Sequence, residues 1–100
     1  MPSYVREVRI EKAFDGQTVV AVLKPFKYVD ALRLWALPDE QAVSEYAALL
    51  PAYVVSMTEL LDADGAIVPR EAVLTEAFYS PLISGILREH VNAATVSNPR

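Results

Sequence analysis

Few residues in this chain have side chains that catalyse reactions or hold ions. His90 is the single histidine, and a lone imidazole serves elsewhere as a proton shuttle or metal ligand. Here it recurs in step with Leu82, Ile83 and Ile86, on the apolar side of a helical spacing. With no cysteine and no second histidine, a metal at His90 would have to gather carboxylates around it. His90 therefore reads as a hydrogen-bonded structural residue, and neither a metal nor a cofactor is expected.

Asp62, Asp64 and Gly65 have the look of a calcium loop opening. Such a loop places glycine sixth and glutamate twelfth, whereas counting from Asp62 these positions hold Ile67 and Val73. The stretch reads instead as a turn that ends a helix. Ser3, Ser44, Ser56, Ser80, Ser84 and Ser97 are scattered, and none lies in a nucleophile-elbow motif. The three glycines are far apart, so no phosphate-cradling loop exists. The acidic pair Asp39 and Glu40 fits the start of a helix, with Asp39 as cap, better than general acid–base work. The residue chemistry points away from an enzyme.

Composition narrows the partners. The net charge of −4 lacks any basic run to neutralise phosphates, which argues against nucleic acid. The longest apolar run is far too short for a membrane span, and MPSYVREVRIEK lacks the apolar centre of a signal peptide. The expectation is a cytoplasmic protein. Hydrophobic residues at 53% exclude a disordered chain and exceed what one small core needs, which favours a partner or an oligomer.

The elements follow from periodicity. Residues 4–14 alternate apolar and polar side chains around Val8 and Ile10, residues 17–24 are rich in β-branched side chains, and between them stands Asp15-Gly16, the dipeptide preferred where a two-residue turn needs positive φ twice. That loop sets the register: Phe14 opposes Gln17, Lys12 opposes Val19, Ile10 opposes Ala21 and Val8 opposes Leu23, with Val8, Ile10, Val19, Ala21 and Leu23 inward. Pro25 ends the second strand. A first helix follows over 27–36, with Val29, Leu32, Trp35 and Ala36 inward, and Pro38 stops it. The longest stripe, Val43, Tyr46, Ala47, Leu50, Tyr53, Val54, Met57, Leu60 and Leu61, predicts a central helix over 39–61, kinked at Pro51. Leu50, Val54 and Leu61 are expected deep in the core. Ile67 and Val68 form a short extended piece. A helix then runs from Pro69 to about Phe78, burying Val73, Leu74, Ala77 and Phe78, and another from Pro81 to about Ala94 after Ser80 as cap. Gly85, Arg88, Glu89 and Asn92 fall on the water side of that last helix. The whole is one α+β domain, 1–100: a hairpin over 4–24, about four helices over 27–94 and a frayed tail over 95–100.

The order of these signals carries a likeness. FDGQTVVAVLKPF closes the hairpin and VDALRLW follows; later come LLDADGAIVPREAV, EAFYSPLISGIL and the C-terminal NAATVSNP. This succession, spanning nearly the whole chain, resembles the small tail assembly chaperones of long-tailed, lambda-like bacteriophages. The resemblance implies a protein without catalytic residues that coats the long, aggregation-prone tape measure protein and recruits tail tube protein around it. It also implies absence from the finished virion and a longer form made by frameshifting. The other readings are a structural ring or connector component of a phage particle, and a generic oligomeric interaction domain.

Trp35, Tyr46, Ala48, Ala52, Val55 and Tyr79 are the candidate partner-binding residues. The aromatics are the kind of anchor that dominates interfaces. The row Ala48, Ala52 and Val55 forms a second, small-residue stripe on the far side of the central helix. With the open edges of the hairpin, this stripe predicts a homo-oligomer.

Overall fold

A computed structural model describes the backbone of residues 7–96 and the side chains of residues 7–93. Residues 4–6 of the expected first strand, Ser3, Ser97, the side chain of Ala94 at the end of the expected last helix and the tail from 97 lie outside the described residues.

The fold is α+β. Strands β1 (Val8–Phe14) and β2 (Gln17–Leu23) form the expected hairpin, and Asp15 and Gly16 both take positive φ, 52° and 76°. The register matches the one that a two-residue loop dictates, from Phe14 opposite Gln17 to Val8 opposite Leu23. Ile10, Val19, Ala21 and Leu23 are buried, and Val8 is half-buried at the rim of the same face.

After the hairpin come α1 (Tyr28–Trp35) and α2 (Asp39–Tyr53). Asp39 is the first residue of α2 rather than its cap, a place held by Pro38. The chain then departs from the expected 39–61 helix. Pro51 cannot donate the bond that would close on the Ala47 carbonyl, and α2 ends two residues later at Tyr53. Val54–Met57 forms β3, which pairs antiparallel with the free edge of β2 and makes a three-stranded sheet in the order β1-β2-β3. The β-branched pair Val54-Val55 suits a strand. Val55 is the extra residue of a bulge, because Leu23 faces Val54 and Val22 faces Ser56.

Side chains prolong this pairing beyond β3. Thr58 exchanges bonds with Val20, its backbone N–H donating to the Val20 carbonyl and its hydroxyl accepting from the Val20 N–H, both at 3.0 Å. The Gln17 amide clasps the Leu61 backbone with two bonds of 2.9 Å. The Asp62–Gly65 turn therefore ends no helix. It closes a small hairpin in which Leu61 bridges Ile67, while Asp62 Oδ1 accepts from the N–H groups of Asp64 and Ala66. In this arrangement Leu60 is buried and Leu61 is 45% exposed, which reverses the expected depth of Leu61. Val54 is half-buried.

The expected 69–78 helix is shorter: α3 covers Arg70–Thr75 and a separate 3₁₀ turn covers Ala77–Tyr79. Val73 is buried and Leu74 half-buried, but Ala77 and Phe78 are exposed. The last helix, α4 (Ser80–Val96), buries Leu82, Ile83, Ile86 and His90 as its stripe requires. It continues through residues 95–96, expected to fray. It packs on α2 and across β1, where Lys12 ion-pairs with Glu89. The Lys12 stem crosses Gly85 so closely that a Cβ there would lie 2.9 Å from Lys12 Cε. Gly85 and Glu89 thus meet the sheet rather than open water, while Arg88 and Asn92 are exposed.

Candidate functional site

The polar side chains of the interior gather where β2 hands over to α1. His90 has no exposed surface, and its Nε2 lies 2.8 Å from the Lys24 carbonyl. A carbonyl only accepts, so Nε2 carries the proton and neutral Nδ1 accepts from the Tyr46 hydroxyl at 2.7 Å. The Tyr53 hydroxyl accepts from the Lys27 N–H at 3.1 Å and donates to Asp30 Oδ2. It thereby serves the first turn of α1, where free N–H groups need partners and no local side chain caps them. Phe26 packs against all three rings, with its centroid 4.7 Å from His90, 5.1 Å from Tyr53 and 5.8 Å from Tyr46.

The electrostatics follow from burial. Removal from water holds the His90 imidazole below its ordinary value, with the Lys24 carbonyl opposing the shift. Burial, then the charge on Tyr53 were it ionised, raise the Tyr46 phenol far above the usual range. The Tyr53 phenol is pushed up to about 12, by burial first and by the Asp30 carboxylate second. Among the described residues, no buried side-chain nitrogen or oxygen lacks a partner, and no three metal-ligating side chains cluster. This cluster is a lock on the β2–α1 connection. Its polar atoms are spent on one another and on the backbone.

The candidate partner-binding residues do not form one patch. Tyr46 is fully buried and offers no surface, because its hydroxyl is needed by His90. Tyr79 is half-buried in a small aromatic cluster at the hairpin tip, 5.6 Å from Phe14 and 5.0 Å from Phe78 between centroids. Ala48, Ala52 and Val55 are exposed. Ala48 forms part of the floor of an open groove of about 660 Å³ between α2 and α3, with Ser44, Ala47 and Pro51 beside it. Arg70, Glu71, Leu74 and Thr75 make the opposite wall. Ala52 continues the Ala48 row one turn on, and Val55 leaves the helix altogether in the bulge.

Trp35 lies elsewhere, on a face of α1 that the sequence pattern assigns to the core. The buried residues of α1 are Ala31 and Leu34. Tyr28 and Val29 are each 68% exposed, Leu32 46% and Trp35 59%. Asp30 decides this phase, because its contact with Tyr53 fixes the rotation of the helix. Trp35 also lines a second, smaller groove with Leu37, Leu87, Arg88 and Val91. Sequence reasoning missed Tyr28, Val29 and Leu32 as surface residues. The available signal was that α1 is apolar on both sides, with Asp30 and Arg33 its only charges.

Among the described residues, no helix is long and apolar enough to cross a membrane. Compared with protein-family models, curated proteins and solved structures, the chain gives no match.

Proposed function

We propose that the chain is a non-enzymatic assembly chaperone that receives an amphipathic helical client in the groove between α2 and α3 and keeps it soluble. The observation that carries this reading is the groove itself. Its floor of Ser44, Ala47, Ala48 and Pro51 is built from small side chains, over which a second helix can approach closely. Leu74 supplies apolar contact on the wall, and Arg70 and Glu71 are opposite charges that orient a client more than they tighten it. The net charge of −4 keeps a coated complex apart from its neighbours in solution. The resemblance to tail assembly chaperones names the client as a tape measure protein, with tail tube protein recruited afterwards, in the cytoplasm of an infected cell.

The test is co-expression with a tape measure protein. Wild-type chain is expected to raise the soluble fraction of the client, and Ala48→Glu, which places a charge on the groove floor, is expected to lose that effect. An equal effect from both removes the groove from the mechanism. A second reading, a ring component that stays in the particle, is favoured by β1 and β3 both being edge strands, since edge contacts can propagate around a ring. Mass spectrometry of purified particles separates the two: a ring component is present and a chaperone is missing.

A further inference from the structure

We infer that the exposed face of α1 is covered by the same face of a second copy, the two helices lying antiparallel about a two-fold axis through Leu32. Tyr28, Val29, Leu32 and Trp35 form one apolar arc on α1, and all four are exposed. Two large aromatics more than half exposed, with two aliphatic neighbours, leave on the order of 400–500 Å² of apolar surface, the size of patch that marks an interaction site. The charges at the two ends of the helix select the occupant and its direction. Lys24 and Lys27 are exposed ahead of α1, and Asp39 and Glu40 are exposed just beyond its C-terminal end.

In the antiparallel pairing Leu32 meets its own counterpart and Val29 of one copy meets Trp35 of the other. The lysine end of each helix then faces the acidic end of its neighbour, twice over by symmetry. The helix dipoles oppose one another in the same sense. A parallel pairing would set Lys27 on Lys27 and Asp39 on Asp39. Trp35 is continuous with the groove lined by Leu37, Leu87 and Val91, whose apolar side gives Tyr28 of the other copy an edge to rest on, while Asp39 and Arg88 make its polar side. Two such faces together cover about 1,000 Å², at the small end of specific interfaces, so the dimer is a weak and exchanging one. It uses a surface separate from the α2–α3 groove and does not depend on the client reading.

The experiment is sedimentation equilibrium on the purified full chain alone, from low micromolar to submillimolar concentration. The wild type is expected to shift from monomer toward twice the monomer mass across that range. Leu32→Glu sets two carboxylates against each other at the axis and should weaken association at least tenfold, with an unchanged melting curve because Leu32 is half exposed. Lys27→Glu alone should also weaken it, and adding Asp39→Lys should restore it, a rescue that only the antiparallel pairing produces. A chain that stays monomeric throughout overturns the inference. So does a dimer indifferent to Leu32→Glu, a Lys27→Glu loss that Asp39→Lys fails to restore, or a monomeric chain whose Leu32 is needed only for a helical client.

Discussion

Tyr46 and His90 meet in the middle of the core, the phenol hydroxyl 2.7 Å from the imidazole Nδ1, although 44 residues separate them in the chain. The bond joins α2 to α4, and the far side of the same imidazole holds the Lys24 carbonyl at the end of β2. One side chain thus ties the sheet and two helices at a point where neither partner can turn to water. Replacing Tyr46 with phenylalanine keeps the ring and leaves Nδ1 buried without a donor, which costs about 1–3 kcal/mol. Urea unfolding of Tyr46→Phe measures it; an unchanged midpoint would mean that water reaches the site.

Burial of the same imidazole sets the acid response, with its bond to the Lys24 carbonyl opposing the shift. The folded chain holds His90 below its ordinary value of 6.5, whereas the unfolded chain titrates near it. Between those two values the unfolded state binds more protons, so stability is complete above about pH 6.5 and declines as pH falls, by at most about 1.4 kcal/mol per pH unit. The single imidazole gives an unambiguous NMR titration. Its midpoint should lie below 6.5. The alkaline side runs the other way: Tyr53, raised from 10.0 to about 12, and Tyr46, raised further, stabilise the fold below pH 10 and lose that contribution as pH rises through 12. Phenolate absorbance should show both rings titrating late.

Leu60 and Leu61 separate the observed chain path from a continuous helix. Leu60 is 2% exposed, and its truncation to alanine should cost about 2–5 kcal/mol. Leu61→Ala should cost under about 1 kcal/mol, since that side chain is 45% exposed. Thermal melts of the two variants check this. Equal losses would return both residues to one helical stripe.

Gly85 lies beneath the Lys12 stem, and alanine there forces the lysine aside. The half-buried, solvent-reached Lys12–Glu89 pair is worth roughly 0–1 kcal/mol, and alanine in place of glycine gains about 0.8–1 kcal/mol in a helix interior. Gly85→Ala is therefore expected to stabilise the fold slightly, by up to about 0.5 kcal/mol on balance of these two effects. A loss above about 1 kcal/mol would show that Lys12 cannot move.

Local rules made the hairpin legible, because a turn with two positive φ angles admits few sequences and Asp15-Gly16 is one of them. The stripe of α4 was legible for the same reason, since Leu82, Ile83, Ile86 and His90 recur within one helix. What stayed hidden depends on distant partners. The third strand forms only because β2 offers an edge, and Val54, Met57 and Leu60 happen to fall in phase with the helix before them. The outward turn of α1 depends on Asp30 finding Tyr53, 23 residues away. The α2–α3 groove was partly visible through Ala48, but Arg70, Glu71 and Leu74 carry no local mark of what they face. Tyr46 shows the limit plainly, since an aromatic at helical spacing reads equally well as anchor or as core.

A client that aggregates on its own gives the clearest reading of the groove. Light scattering from a refolding tape measure fragment, alone and with equimolar wild-type chain or Ala48→Glu, measures whether the groove holds a helix in solution. The proposed function predicts suppressed scattering with the wild type and full scattering with Ala48→Glu, whose melting curve should match the wild type because Ala48 is exposed. Scattering that the wild type leaves untouched, or that Ala48→Glu suppresses equally well, would contradict it.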